Sequence, residues 1–405
     1  MRVLLSDGSG LTSRQVATQL HRAGHVVDVL VPGGLPITRF TRHVRRVHRV
    51  ARYGVDPLGW LDGALDVARS EGIDCLFPTQ EQAALLARVA DRVRSAGLAC
   101  PVPPFSAIRA VQDKISATET LSASGVPQPA TSVARTRAEL FDIGQFPVWV
   151  KTAIGTASNG VRFVRTRAEL EAFVDELDRG GQLGDGVVVQ QPAAGPLAMV
   201  QTVFSAGDLV AFHANLRIRA GHSGGAAVKE STDLTELRAP LAALGLALGW
   251  HGALSCDAII GPDGPVVIDV NPRLVEPGNA WRSGVDLVDA MLSVASDKPV
   301  APLAVGRVGV RTHQLLIAVL GAAQQGRHRR GILAELANGV SRRGPYRHSA
   351  EELTPLRGDW RAAVPVAVAS VATLMWPRAH RFFGGSAVSG YALTARAWEA
   401  ILATP

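Results

Sequence analysis

The chain has 405 residues, 47% of them hydrophobic and 19% charged, which excludes a disordered or collagen-like chain and leaves room for two or three domains. No run reaches the roughly 18 to 20 uninterrupted apolar residues of a spanning helix, because the longest candidate, Ala362 to Trp376, contains Pro365 and Ser370. The net charge of +7 is concentrated after residue 300, where 13 arginines face 5 acids. Only four basic residues are lysine, namely Lys114, Lys151, Lys229 and Lys298, so a lysine here asks for a chemical reason.

The opening MRVLLSDGSG turns polar too early for a secretory signal, and a cytoplasmic location is expected. Cys75, Cys100 and Cys256 show no CxxC or Cys/His spacing and read as buried thiols, giving neither a disulfide framework nor a zinc site.

In chain order, the apolar run 1–7, the turn Asp7-Gly8-Ser9-Gly10, a helical pattern with Val16, Leu20 and Ala23, and HVVDVLV form a βαβ opening. A helix over 58–71 leads to a strand at 73–78, and GLACPVP at 97–103 predicts another. Residues 1–105 therefore read as a small parallel α/β domain. The turn lacks the third glycine of GxGxxG and no acid ends the second strand, so a tight turn is expected in place of a dinucleotide site.

Pro101, Pro103 and Pro104 mark a boundary, after which a helical stretch at 106–125 carries Lys114. From 147 to 300 strands and helices interleave, with a charged helix at 166–179 and an Ala/Leu helix at 237–249, as suits an α+β module with antiparallel sheets. From 301 to 405 the chain is mostly helical and arginine-rich.

Chemistry collects at three places. Lys151 ends an apolar strand and is followed by a small-residue loop containing Gly155, Ser158 and Gly160, where backbone N–H groups and a lysine suit phosphate oxygens; an ordinary Gly/Ser hairpin is the alternative. Asp257, Asp269 and Asn271 lie on two apolar strands joined by the turn Gly261-Pro-Asp-Gly264. Two residues apart on one strand, Asp269 and Asn271 share a face, and three hard oxygen donors converge as a Mg²⁺ site needs; an exposed hairpin with solvated acids is the alternative. Arg273 follows with a fork suited to a phosphoryl group. The third place is VVVQQPAAG, a strand ending in a loop with Gln190, Gln191 and Ala193.

This order of parts, Lys114 in a helix, Lys151 before a Gly/Ser loop, a strand ending in a hinge, then Asp257 and Asp269-Val-Asn-Pro-Arg273, resembles the ATP-grasp superfamily over residues 1 to 300. The resemblance implies an α/β domain over 1–105 and an α+β ATP-grasp domain over 106–300 whose two antiparallel sheets clasp ATP, with a mobile part at about 125–190. A helical extension over 301–405 follows. It implies that Lys114 and Lys151 hold phosphates under the loop 152 to 160, that Gln190, Gln191 and Ala193 take adenine, and that Asp257, Asp269 and Asn271 hold two Mg²⁺ ions, for which Mn²⁺ substitutes. Arg273 would stabilise the transferred phosphoryl group, and Arg217 and Arg219, ahead of GHSGGAAVKES, would face substrate. Gln190 and Leu197 stand where the superfamily usually has glutamates for adenine and ribose.

The implied reaction activates a carboxylate as an acyl phosphate and lets an amine displace phosphate, giving an amide, ADP and phosphate. Small carboxylate and amine substrates are the expected partners, with Glu276 a candidate to face the amine and the turn 7 to 13 a candidate for a carboxylate. Carboxylase, kinase and non-catalytic nucleotide-binding readings stay open. No nucleic-acid partner is expected. For the tail, a helical subdomain packed on the core is expected ahead of an interfacial patch formed by Ala362 to Trp376 with Arg378, Arg381, Phe382 and Phe383.

Overall fold

The computed structural model describes residues 1–404 apart from 156–159, 181–182, 297–299 and 354–357, and for 384–387 the backbone alone. The expected βαβ opening forms a four-stranded parallel sheet in the order Arg46–Arg49, Val26–Val31, Arg2–Leu5, Cys75–Phe77. Its central strands are buried on both faces, as continuous apolar runs in parallel sheets demand. The edge strand Arg46–Arg49 was not foreseen: only Val47 interrupts its basic residues, and its exposed position removes the apolar signal. The strand expected at 97–103 reduces to one bridge between Cys75 and Ala99, since prolines at 101, 103 and 104 have no N–H to give a ladder.

The expected helical stretch at 106–125 is two helices, Phe105–Gln112 and Lys114–Ala123, divided at Asp113, whose carboxylate caps the second by accepting from the Ile115 N–H at 2.7 Å. Lys114 is thereby placed at the first turn. Next comes a small antiparallel sheet in the order Thr131–Ala134, Val187–Gln190, Val148–Thr152, Val161–Val164. The helix Arg167–Arg179 covers one face, burying Leu170, Phe173, Val174 and Leu177; at about 1.5–3 kcal/mol per such side chain it is held by tertiary burial more than by its own propensity.

A larger sheet runs Gly264–Asn271, Gly252–Gly261, Leu197–Ser205, Asp208–Ala220, Ala226–Thr232, Arg311–His313, Ala350–Glu351, antiparallel except for its last pair. Two of its strands come from beyond residue 300, so the tail, otherwise helical, is built into this sheet. Leu287, Val288 and Met291 of the helix Leu287–Ala295 join Val3, Leu5 and Val27 to Val203 and Ala253 in one core, which ties the parallel sheet to the large one.

The tail helices Leu315–Gln324, Arg329–Ser341 and Ala363–Met375 share a core of Val319, Leu320, Ile332, Val366 and Ala369. The last helix, Ala395–Ala403, returns to the first domain, where Trp398 packs beside Phe105 with ring centres 6.0 Å apart.

Candidate active site

Between the small and large antiparallel sheets lies a cleft of about 420 Å³. Its lining includes Lys114, Lys151, Gly155, Gln190, Gln191, Ala193, Arg217, Asp257, Asp269 and Asn271, which the sequence left scattered over 158 positions. Asp257 and Asp269 are direct cross-strand partners, and Asn271 stands two residues further on, opposite Ser255.

The pairing slips by one residue between Asp257 and Ala258, leaving Ile268 as a bulge. A bulged residue drops out of the ladder, and the Ile268 carbonyl accepts instead from Lys151 Nζ at 2.5 Å. The ammonium also donates to Gln190 Oε1 at 2.9 Å. Burial lowers the Lys151 pKa against the pull of Asp269 and Asp257, with Lys114 adding to the lowering. Lys114 Nζ lies 3.6 Å from Asp269 Oδ1.

Burial, and then the neighbouring charge of Asp269, push the Asp257 carboxyl up to about 7, even with Arg273, Lys151 and Arg217 opposing the shift. Burial and mutual repulsion therefore outweigh the nearby cations at this pair. Among the described residues no three of His, Cys, Asp and Glu gather as a metal site; the third oxygen available here is the Asn271 amide.

Other expected residues are placed differently. Ser158 lies outside the described residues. Gly160, at φ +77°, closes its loop by accepting from the Thr152 N–H at 2.9 Å, and a Cβ there would lie 2.0 Å from Thr152 Oγ1, so glycine is required. The Gln190 side chain spans Lys151 and Thr131, its amide donating to Thr131 Oγ1 at 3.3 Å, so its oxygen is already an acceptor within the protein.

Arg217 stays on the cleft, donating to the Gly224 carbonyl at 2.7 Å, but Arg219 does not. A register shift between them breaks the two-residue alternation, and Arg219 forms a two-pronged pair with Glu335 of the tail at 2.8 and 2.5 Å. Arg273 is held by Glu81, Nε to Oε1 at 3.1 Å; burial works against its charge, but Glu81 keeps the guanidinium above its ordinary range. The turn 7 to 13 is not open to a carboxylate: Asp7 Oδ2 already accepts from the N–H groups of Ser9 and Gly10 at 2.8 and 2.7 Å and from Ser13 Oγ at 3.3 Å.

Two features escaped the sequence reading. Glu81 belongs to Thr79-Gln80-Glu81-Gln82, four buried polar residues following the strand Cys75–Phe77. Polar residues at the carboxyl end of a parallel strand are the signal that could have found them. The second is a buried cluster around Lys229, whose Nζ donates to Glu276 Oε2 at 2.5 Å and Glu352 Oε2 at 3.1 Å, with Gln314 donating to both carboxylates and Gln15 to Glu352. Glu352 and Gln314 belong to the tail, and no local spacing announces a cluster drawn from three regions. His213 is a core histidine, hydrogen-bonded to Asn279 at 2.9 Å.

Residues 111–277 match the family model of the ATP-grasp domain, and this central part of the chain is an ATP-grasp domain. The fold agrees with solved structures at low identity. The biotin carboxylase domain of Hydrogenobacter thermophilus 2-oxoglutarate carboxylase, bound to MgADP, ADP and bicarbonate, is 17% identical, with 76% of this chain and 73% of that one covered and a TM-score of 0.61. Biotin carboxylase from Campylobacter jejuni is 16% identical over 76% and 74%, with a TM-score of 0.60. N5-carboxyaminoimidazole synthetase from Staphylococcus aureus is 14% identical over 78% and 82%, with a TM-score of 0.59. No curated protein matches the sequence.

Proposed function

We propose that the protein is an ATP-dependent carboxylate–amine ligase, releasing ADP and phosphate. The observation that carries this reading is the meeting of Lys114, Lys151, Asp257, Asp269 and Asn271 in one cleft of an ATP-grasp domain. The donor set fits nucleotide and Mg²⁺. Paired oxygens of Asp257 and Asp269 beside an amide oxygen are hard ligands, and the raised pKa of Asp257 marks a pair that a divalent cation would relieve.

In this reading Asp257, Asp269 and Asn271 would hold Mg²⁺, Lys114 and Lys151 would meet phosphate oxygens, and Gln190, Gln191 and Ala193 would take the adenine. Bound MgATP supplies the phosphoryl group that makes a carboxylate reactive towards an amine. The chain's own contribution is positional. Ion pairing with Glu81 holds the Arg273 fork in one orientation, and Arg217 adds a second fixed cation beside the acids. The small sheet at about 125–190 would move over the nucleotide and keep water from the acyl phosphate.

The test is ADP release with Mg²⁺ and ATP against carboxylic acids and amines, singly and in pairs, with mass spectrometry of products. Release that needs one acid and one amine, with a product at their summed mass less water, is expected. Release driven by bicarbonate alone would favour a carboxylase, and a phosphorylated acid without condensation would favour a kinase.

A further inference from the structure

The tail helix Ala363–Met375 is apolar on its outward face as well as on the face that buries Val366 and Ala369. Its two hydroxyl residues, Ser370 and Thr373, are buried, whereas the outward face carries Ala367, Val368, Val371 and Met375. Thr373 satisfies its hydroxyl on the Ala369 carbonyl at 2.7 Å, and Ser370 Oγ finds no partner among the described residues. Val368, Val371 and Met375 follow one another at helical spacing and are 52%, 57% and 73% exposed. Trp360 precedes the helix and Trp376 follows it, both more than half exposed, and Trp376 packs against exposed Phe382 with ring centres 5.5 Å apart. A water-facing helix carries polar residues on its outward face, so this one is suited to an apolar cover.

Charge selects the cover. Arg329 donates to the Met375 carbonyl at 3.4 Å, and Arg330, Arg378 and Arg381 are exposed nearby in the chain. All four acids between 326 and 383 are turned inward: Glu335 to Arg219, Glu351 to His313, Glu352 to Lys229 and Asp359 to Arg14. The exposed charge of this region is therefore arginine. A second copy placed symmetrically on the same face would set these cations against one another, whereas phospholipid headgroups would meet them with phosphates.

We propose that this face rests on an anionic phospholipid bilayer, with the helix lying in the headgroup plane. Thirteen residues span about 20 Å, short of the ~30 Å hydrocarbon core, and no described helix is long and apolar enough to cross a membrane. Trp360 and Trp376 sit at the two ends of the helix, where rings with one apolar and one polar side suit headgroup depth. The apolar residues project from the helix, and a deformable lipid interface accepts projecting side chains without a preformed groove.

The test is co-sedimentation of the full chain with vesicles of phosphatidylcholine alone or mixed with phosphatidylglycerol. Binding to the mixed vesicles is expected to be stronger by roughly tenfold or more. It should be lost in a Val371→Asp/Met375→Asp double variant whose thermal unfolding is unchanged. An Arg378→Glu/Arg381→Glu variant should bind mixed vesicles no better than phosphatidylcholine. The proposal is overturned if the folded wild type ignores mixed vesicles, if the aspartates leave binding intact, or if they instead abolish a concentration-dependent dimer seen by ultracentrifugation.

Discussion

Asp269 faces Asp257 across the ladder and Lys114 at 3.6 Å, so its charge is shared between an acid that repels it and a lysine that attracts it. Replacing it by asparagine keeps size and removes charge. We expect Asp269→Asn to unfold at the wild-type temperature within a few degrees while losing ADP release by about a hundredfold or more, the range for a lost electrostatic contact at a reacting phosphoryl group. Wild-type turnover in this variant would exclude Asp269 from cation binding.

Asp257 adds a pH signature. Its carboxyl titrates near 7 in the folded chain, so below that value a proton competes with a cation for the same oxygens. Mn²⁺ affinity, measured by electron paramagnetic resonance, should weaken as pH falls below about 7, by up to roughly tenfold per unit, and level off above it. An affinity flat from pH 5 to 8 would contradict this assignment. Lys151, Asp257, Asp269 and Asn271 were legible because strands of valine and isoleucine rarely carry Asp, Asn or Lys without cause, whereas Lys114, on a helix, stood out as one of only four lysines. Arg219 misled because a bulge, set by neighbouring strands, undid the alternation on which its placement rested.

At the level of elements, most helices and strands followed from periodicity: the charged helix at 166–179 and the Ala/Leu helix at 237–249 appear as Arg167–Arg179 and Arg238–Leu248. The short basic strand Arg46–Arg49 and the tail strands Arg311–His313 and Ala350–Glu351 did not, because their pairing partners define them. The loop leading out of Gln190 also depends on contact that sequence spacing hides. Gly195, at φ +144°, runs so close to the strand Gly252–Gly261 that a Cβ would stand 2.1 Å from the Ile260 carbonyl oxygen. Gly195→Ala must therefore shift the loop or the strand. We expect a loss of about 1–3 kcal/mol in chemical denaturation, with weaker ATP binding by calorimetry because the loop carries Ala193.

For the whole molecule, the tail acts as a clasp. Asp359 reaches back to Arg14 in the first domain at 3.1 Å, with both side chains almost fully buried, and also accepts from Thr41 Oγ1 at 2.5 Å. Removing one member of such a pair strands the other charge in a place water cannot reach. Asp359→Ala is expected to cost about 3–5 kcal/mol, and an Arg14→Met/Asp359→Leu pair to recover much of that loss, since apolar replacement of both partners removes the stranded charge. Equal destabilisation by the single and double changes in denaturant titrations would contradict this account.

Three buried histidines, His43, His213 and His313, have folded pKa values lowered to about 4, with burial the first cause in each. Their folded values lie below the ordinary 6.5, so the stability tied to their neutral forms is whole above pH 6.5 and is lost as pH falls towards 4. Thermal unfolding followed across that interval should show a falling midpoint.

In the proposed reaction a carboxylate oxygen attacks phosphorus before an amine attacks the carboxylate carbon. The most direct measurement uses the acid that supports turnover, labelled with ¹⁸O in its carboxylate, and reads the label in the released phosphate by mass spectrometry. With both carboxylate oxygens labelled, one ¹⁸O is expected in each phosphate and one in the amide. Unlabelled phosphate, released together with ADP and amide, would contradict this order of attack.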